Sequence, residues 1–170
     1  MIESLTLRPD QDSDQPGVQA IVTEAFGDRP AEAQLVQSLK ANGNDRLATV
    51  ALAQGNIIGY VLASPIRLEP EQALRCLGIA PLAVAIAHQR QGVGTELMRF
   101  VIDRARAEGI DALFLLGDPA YYQRFGFQAT HIGNEYGATA AFMALELATN
   151  CLSGVDAVAQ YSPEFAAADV

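Results

Sequence analysis

The sequence predicts a mixed α/β fold, in which strands and helices alternate and one strand–helix–strand unit pairs its strands in parallel. Three observations predict it. The apolar period changes repeatedly along the chain between about two and about 3.6 residues. An uncharged apolar run from Cys76 to Ala87 ends in a glycine turn, His88-Gln89-Arg90-Gln91-Gly92-Val93-Gly94-Thr95, which opens a helical pattern. After that helix, Ala112 to Leu116 is apolar at every position, as suits a strand inside a parallel pair.

The elements follow in order. Leu5-Thr6-Leu7 alternates like a strand. Gln15 to Phe26 places Val18, Ile21, Val22, Ala25 and Phe26 at helical spacing after an Asp/Ser-rich segment suited to capping. Ala31 to Ala41 predicts a second helix between Pro30 and Asn42-Gly43. Leu47–Ala53 and Ile57–Ser64 flank Gln54-Gly55-Asn56, a short glycine-containing connection, and predict a hairpin. Ala73 to Ile86 is a long β-type run broken at Pro81, where an interior strand must bulge or splay. Gly94 to Glu108 reads as a helix closed by Gly109. With the strands on either side it makes a βαβ unit. Pro119 to Phe125 predicts a short helix, Phe127 to Thr130 and Ala141 to Leu147 predict strands, and Val155 to Tyr161 an added edge strand in the tail from Cys151 to Val170.

Composition bounds the function. The 170 residues predict one domain with apolar material for a real core. A net charge of -9 disfavours DNA and acidic membranes and suits a neutral or cationic small partner. The opening Met1-Ile2-Glu3-Ser4 has no basic-then-apolar leader, and Cys76 to Ala87 is too short to cross a bilayer, so a cytoplasmic location is expected. Cys76 and Cys151 lack metal-ligand spacing and read as buried, reduced thiols.

The glycine turn leaves successive N–H groups unshielded at a helix N-terminus, a place for phosphate. A dinucleotide fingerprint needs a third glycine where Leu97 stands, and a Walker loop needs a lysine where Thr95-Glu96 follow Gly94. The remaining pattern, Gln89, Gly92 and Gly94 directly after a β-run, is that of acyl-CoA-dependent transferases; a tight turn without a ligand is the bland alternative.

The segment Leu115-Leu116-Gly117-Asp118-Pro119-Ala120-Tyr121-Tyr122-Gln123-Arg124-Phe125-Gly126-Phe127 resembles the second signature of the GNAT superfamily of N-acyltransferases, and Pro81 through Thr95 resembles the first. Together with Ala25-Phe26-Gly27, the pairing is most similar to the YhbS-like branch of predicted N-acetyltransferases. The resemblance implies a GNAT fold, a central mixed, mostly antiparallel sheet with flanking helices that is splayed at an acyl-CoA site, with acetyl-CoA as co-substrate and no metal. Leu82, Ala83 and Val84 would bind the pantetheine arm, and Gln89, Arg90, Gln91, Gly92, Val93, Gly94 and Thr95 the diphosphate. It also implies that the Val84 N–H stabilises the developing oxyanion and that Tyr122 donates a proton or strong hydrogen bond to the leaving thiolate, while Tyr121 reads as packing.

Transfer to a primary amine of a small molecule or peptide, by direct attack in a ternary complex, is the implied reaction. An amine of pKa about 10.4 is free only about once in 2,500 molecules at pH 7, so a base has to take its proton. Phenol-to-thiolate transfer runs uphill by about 2 kcal/mol, which requires partial transfer or a lowered tyrosine pKa. Glu24, Glu32, His88 and Asp118 are the candidate bases; Asp118 also reads as the cap of the Pro119 helix. Cys76, His88 and Asp118 have the residue types of a nucleophilic triad. A non-catalytic acyl-CoA sensor and a partner-regulating protein are the other functional classes, and homodimerisation is compatible with any of them. Acceptor choice is expected to depend on the first two helices and the loop from His131 to Ala140.

Overall fold

The computed structural model describes residues 4–168; Met1 to Glu3, read above for a leader, and the last two tail residues lie outside the described residues. The strands are β1 (Leu5–Pro9), β2 (Leu47–Ala53), β3 (Asn56–Glu69), β4 (Cys76–Val84), β5 (Ala112–Leu116), β6 (Gln128–Ala129), β7 (Gly133–Asn134), β8 (Phe142–Glu146) and β9 (Val158–Gln160). The helices are α1 (Gln15–Ala25), α2 (Ala31–Ala41), α3 (Val93–Ala107), α4 (Pro119–Tyr122) and α5 (Pro163–Ala168). The main sheet runs β1-β2-β3-β4-β5-β8-β6 and is antiparallel throughout except for the β4–β5 pair. That pair needs a crossover, and α3 supplies it, as the βαβ reading requires.

Both faces of the sheet are covered. On one, Val18 and Val22 of α1 and Leu35, Val36 and Leu39 of α2 pack with Tyr60, Leu62, Phe114 and Phe142. On the other, Leu97, Met98 and Val101 of α3 pack with Ala51, Val61, Leu113, Leu115 and Phe127. Successive β5 side chains point to opposite faces, and each face is closed by helices, so an unbroken apolar run is what this strand demands.

Several boundaries differ from the sequence reading for physical reasons. β3 extends to Glu69, past Ser64, because β9 pairs with its last three residues. β9 therefore does not lengthen an edge of the main sheet; it lies between β3 and β7 in a small second ladder. The strand expected over Phe127 to Thr130 shrinks to Gln128–Ala129, the two positions that meet β8. Asp14 does not cap α1 with its side chain: its carboxylate takes Arg8 in a two-pronged pair at 2.7 and 2.9 Å and the Gln11 N–H at 2.7 Å. Cys76 is buried, whereas Cys151 is half-buried and points its Sγ at the Asp111 carbonyl at 3.3 Å.

The tail is fastened by one carboxylate. Glu164 Oε2 accepts from the amides of Asn42 at 2.9 Å and Asn44 at 2.8 Å, just beyond the end of α2. Burial alone would raise its pKa, but these hydrogen bonds hold it below the ordinary glutamate value. The tail contact is accordingly complete above the ordinary glutamate pKa and fades as pH falls through the lowered one. Glu164→Ala is expected to cost about 1–2 kcal/mol and to speed hydrogen exchange over 163–168 while the β3–β5 amides stay protected, as read by mass spectrometry.

Candidate active site

The site begins with a fault in β4. Ile79 pairs with Ala63 and Leu82 with Val61, so Ala80 and Pro81 together oppose Leu62, a bulge at the position where proline removes a ladder donor. On the other side β4 pairs with β5 only from Cys76 to Gly78. Beyond Gly78 the two strands part. The Ala85 N–H donates to the Ile58 carbonyl at 2.8 Å, and antiparallel pairs alternate between bonded and unbonded. Val84 opposite Gly59 and Leu82 opposite Val61 are therefore unbonded pairs, whose N–H and C=O groups point away from β3 into the parting. The Val84 carbonyl takes the Gln89 side-chain amide at 3.0 Å, and its N–H remains aimed at the gap.

The chain then makes a single helical turn, Ile86–His88, and enters the glycine loop. Gly92 sits at the N-cap of α3 with φ 88°, a left-handed conformation that side chains disfavour, and it offers no side chain to cap the helix. The N–H groups of Val93, Gly94 and Thr95 in the first turn thus have no acceptor within the helix. They face a cavity of about 540 Å³ lined by Leu82, Val84, Arg90, Gly94, Tyr121 and Arg124, among others. Gln91 contributes only backbone here; its side chain reaches back to the Ala87 carbonyl at 3.3 Å.

Adjacent tyrosines face two different cavities. Tyr121 lines the loop cavity, so it does more than pack: Arg124 lies over its ring at 4.6 Å and donates to Thr95 Oγ1 at 2.8 Å. Tyr122, edge-on to it with centroids 4.8 Å apart, lines a second cavity of about 370 Å³. Its ring fits because residue 117 is glycine; a Cβ there would lie 2.4 Å from Tyr122 Cε2. Burial, then the neighbouring Tyr121 and Asp118, raise the Tyr122 pKa above the ordinary phenol value, opposite to the lowered value that the sequence reading offered as one possibility. Phe26 and Leu82 border both cavities, which therefore meet at the parted strand. A broader depression of about 1000 Å³ between β6, β8 and residues 150–156 shares no residue with either.

The expected bases are scattered. Glu24 Oε2 accepts the Ile86 N–H at 2.7 Å, and Asp118 caps α4 through the Ala120 N–H at 3.0 Å. His88 lines the loop cavity, and Glu32 the second one. The triad does not assemble: Cys76 starts β4 while His88 follows its other end, about 25 Å away at roughly 3.3 Å per residue. Burial also pushes the Cys76 thiol up to about 12, far from thiolate character. The second cavity takes Phe26, Glu32 and Leu35 from the segments of the first two helices and Tyr136 from the loop over 131–140, and the sequence reading missed Tyr161 and Phe165 from the tail and Arg124 on the loop side. Alternating Ala157, Ala159 and Tyr161, all buried, was the available signal for the tail; Arg124 carried none beyond its place three residues after Tyr121.

Among the described residues no cluster of His, Cys, Asp or Glu is set to hold a metal, and no helix is long and apolar enough to cross a membrane. The acetyltransferase (GNAT) family matches residues 13–127. The chain is 37% identical over 157 residues to the uncharacterized N-acetyltransferase YhbS of Escherichia coli K12, covering 89% of this chain and 93% of that protein. The crystal structure of E. coli YhbS in complex with CoA superposes with a TM-score of 0.90 at 34% identity, covering 95% of this chain and 92% of that one. A GNAT acetyltransferase from Brucella melitensis in complex with acetyl-CoA gives a TM-score of 0.80 at 25% identity, covering 95% and 97%. By these matches, over a fold whose β4 parts from β5 beyond Gly78, the chain belongs to the GNAT family of acetyltransferases, which are acyl-CoA-dependent enzymes.

Proposed function

We propose that this chain transfers the acetyl group of acetyl-CoA to a primary amine of a small molecule or peptide, by direct attack while both substrates are bound. The observation that carries the reading is the junction of the two cavities at Leu82 and Phe26, with an orphaned N–H row on one side and Tyr122 on the other. Acetyl-CoA fits what is there: the backbone N–H groups of Gln91, Gly92, Val93, Gly94 and Thr95 supply donors and the positive end of α3 to a diphosphate, with the Gln89 and Arg90 side chains beside them. The parted edge at Leu82, Ala83 and Val84 supplies strand-like partners to the two pantetheine amides. When bound, acetyl-CoA supplies a thioester carbonyl and a thiol leaving group.

The protein's own groups then divide the work. The Val84 N–H, directed into the gap, donates to the carbonyl oxygen as charge develops on it. Tyr122 donates to the departing sulfur; its raised pKa keeps the phenol protonated and makes the contribution a strong hydrogen bond with partial transfer. Arg124, already braced on Thr95 and Tyr121, is placed to meet phosphate at the loop.

Calorimetric titration with coenzyme A and acetyl-CoA tests the binding half, and absence of heat with either on folded protein overturns the assignment. For the chemical half, Tyr122→Phe is expected to lower kcat about 10²- to 10⁴-fold with coenzyme A affinity unchanged, measured by thiol release. Unaltered turnover in that variant would remove Tyr122 as the proton donor, whereas coenzyme A binding without thiol release by the wild type across a panel of amines would favour a non-catalytic acyl-CoA sensor. Because the Tyr122 pKa lies above the usual phenol value near 10, its protonated form persists through alkaline pH. The kcat profile is accordingly expected to show no alkaline fall before pH 10; a fall centred near pH 8–9 would remove Tyr122 as the proton donor.

A further inference from the structure

The second cavity, the one Tyr122 faces, is walled by Phe26, Leu35, Tyr136, Tyr161 and Phe165 and has a single carboxylate, Glu32. Glu32 stands in the first turn of α2, and its Oε1 is shut off from solvent with no hydrogen-bond partner among the described residues. A buried carboxylate oxygen without a donor is costly, so its presence among aromatic rings calls for a cationic donor from outside. The competing groups are engaged or elsewhere. Glu24 is held by the Ile86 N–H, Asp118 by the Ala120 N–H, and His88 belongs to the loop cavity. The other titratable groups lining the cavity are the phenols of Tyr122, Tyr136 and Tyr161.

We infer that Glu32 is the general base and that the acceptor is a primary amine carried on an apolar, flat body, as in an arylalkylamine. This rests on the acetyltransferase reading and adds to it the acceptor's class and the residue that prepares it. The aromatic walls bury the body and favour an ammonium over their faces, and a volume of about 370 Å³ lies at the small end of ligand sites, large enough for a one- or two-ring amine. The ammonium donates to the Glu32 carboxylate, which turns on its side chain to meet it, and gives it one proton. The freed nitrogen lone pair forms the C–N bond at the thioester carbon, and the C–S bond breaks. Tyr122 hands a proton to the sulfur, and the second N–H proton of the new amide nitrogen replaces it. The products are the N-acetyl amine, free thiol and one proton, which Glu32 releases to solvent.

The test is thiol release from acetyl-CoA with phenethylamine and with spermidine as probes. For the wild type, kcat/KM is expected to be at least tenfold higher with phenethylamine. Glu32→Gln, close in shape, is expected to lower kcat at least about 100-fold with unchanged calorimetric affinity for coenzyme A. Its residual rate should climb about tenfold per pH unit from 7 toward the amine's own pKa, because only free amine then reacts, whereas the wild-type rate stays nearly level. Glu32→Asp, which keeps a carboxylate, should run more slowly but retain the level profile. Wild-type kcat and pH profile in Glu32→Gln overturn the base assignment, and preference for spermidine overturns the acceptor class; in both cases the acetyltransferase reading stands. Thiol release with neither amine nor any other, on protein that binds coenzyme A, overturns that reading and this one together.

Discussion

A strand inside a sheet ordinarily offers its N–H and C=O groups to both neighbours, and β4 does so only as far as Gly78. From there its partnership with β5 ends while its partnership with β3 continues to Val84. Backbone groups that neither strand nor helix satisfies are costly when withdrawn from water, so an unpaired edge in mid-sheet persists where a ligand completes it. Pro81 enforces the fault, since it has no N–H to give and its bulge changes the register of the β3 ladder. Each later feature of the site takes its position from this fault: the loop leaves from the free end of β4, α3 starts at the loop, and both cavities open where the strands diverge.

Around that gap the chain assigns different chemistry to different layers. The α3 face of the sheet supplies a helix terminus and glycine backbone, suited to anionic groups. The α1–α2 face supplies aromatic rings and a lone carboxylate, suited to a cation with an apolar body. The two surfaces are kept apart by neighbouring tyrosines set nearly perpendicular, one ring turned to each side. The two cavities therefore meet at the parted strand, at Leu82 and Phe26, while each keeps walls of its own chemistry.

Much of this was legible in the sequence. Period changes located α1, α2, α3 and β5 to within a residue or two, because each buries a full face and the apolar pattern records it. Pro81 marked the fault and Gly92 the loop, since both residues leave a local backbone signature. The cofactor side was readable for the same reason: backbone donors depend on turn geometry, which a few contiguous residues dictate. The acceptor side was not. Glu32, Tyr136, Tyr161 and Phe165 come from separated parts of the chain and meet only through tertiary packing. Glu24 and Glu32 are indistinguishable as letters, and only the Ile86 N–H bonded to the first and the missing partner of the second separate them. β9 was expected within Val155 to Tyr161 but not its place between β3 and β7, and α5 escaped because a six-residue element carries too little periodicity to register; their order derives from β3 and from the Asn42 and Asn44 amides.

Tyr161 and Phe165 stand beyond residue 127, where the family match stops, and wall the second cavity, whereas every residue lining the loop cavity lies within the match. The two hollows are thereby built from different stretches of chain, and a change in the C-terminal stretch can reshape one while leaving the walls of the other untouched.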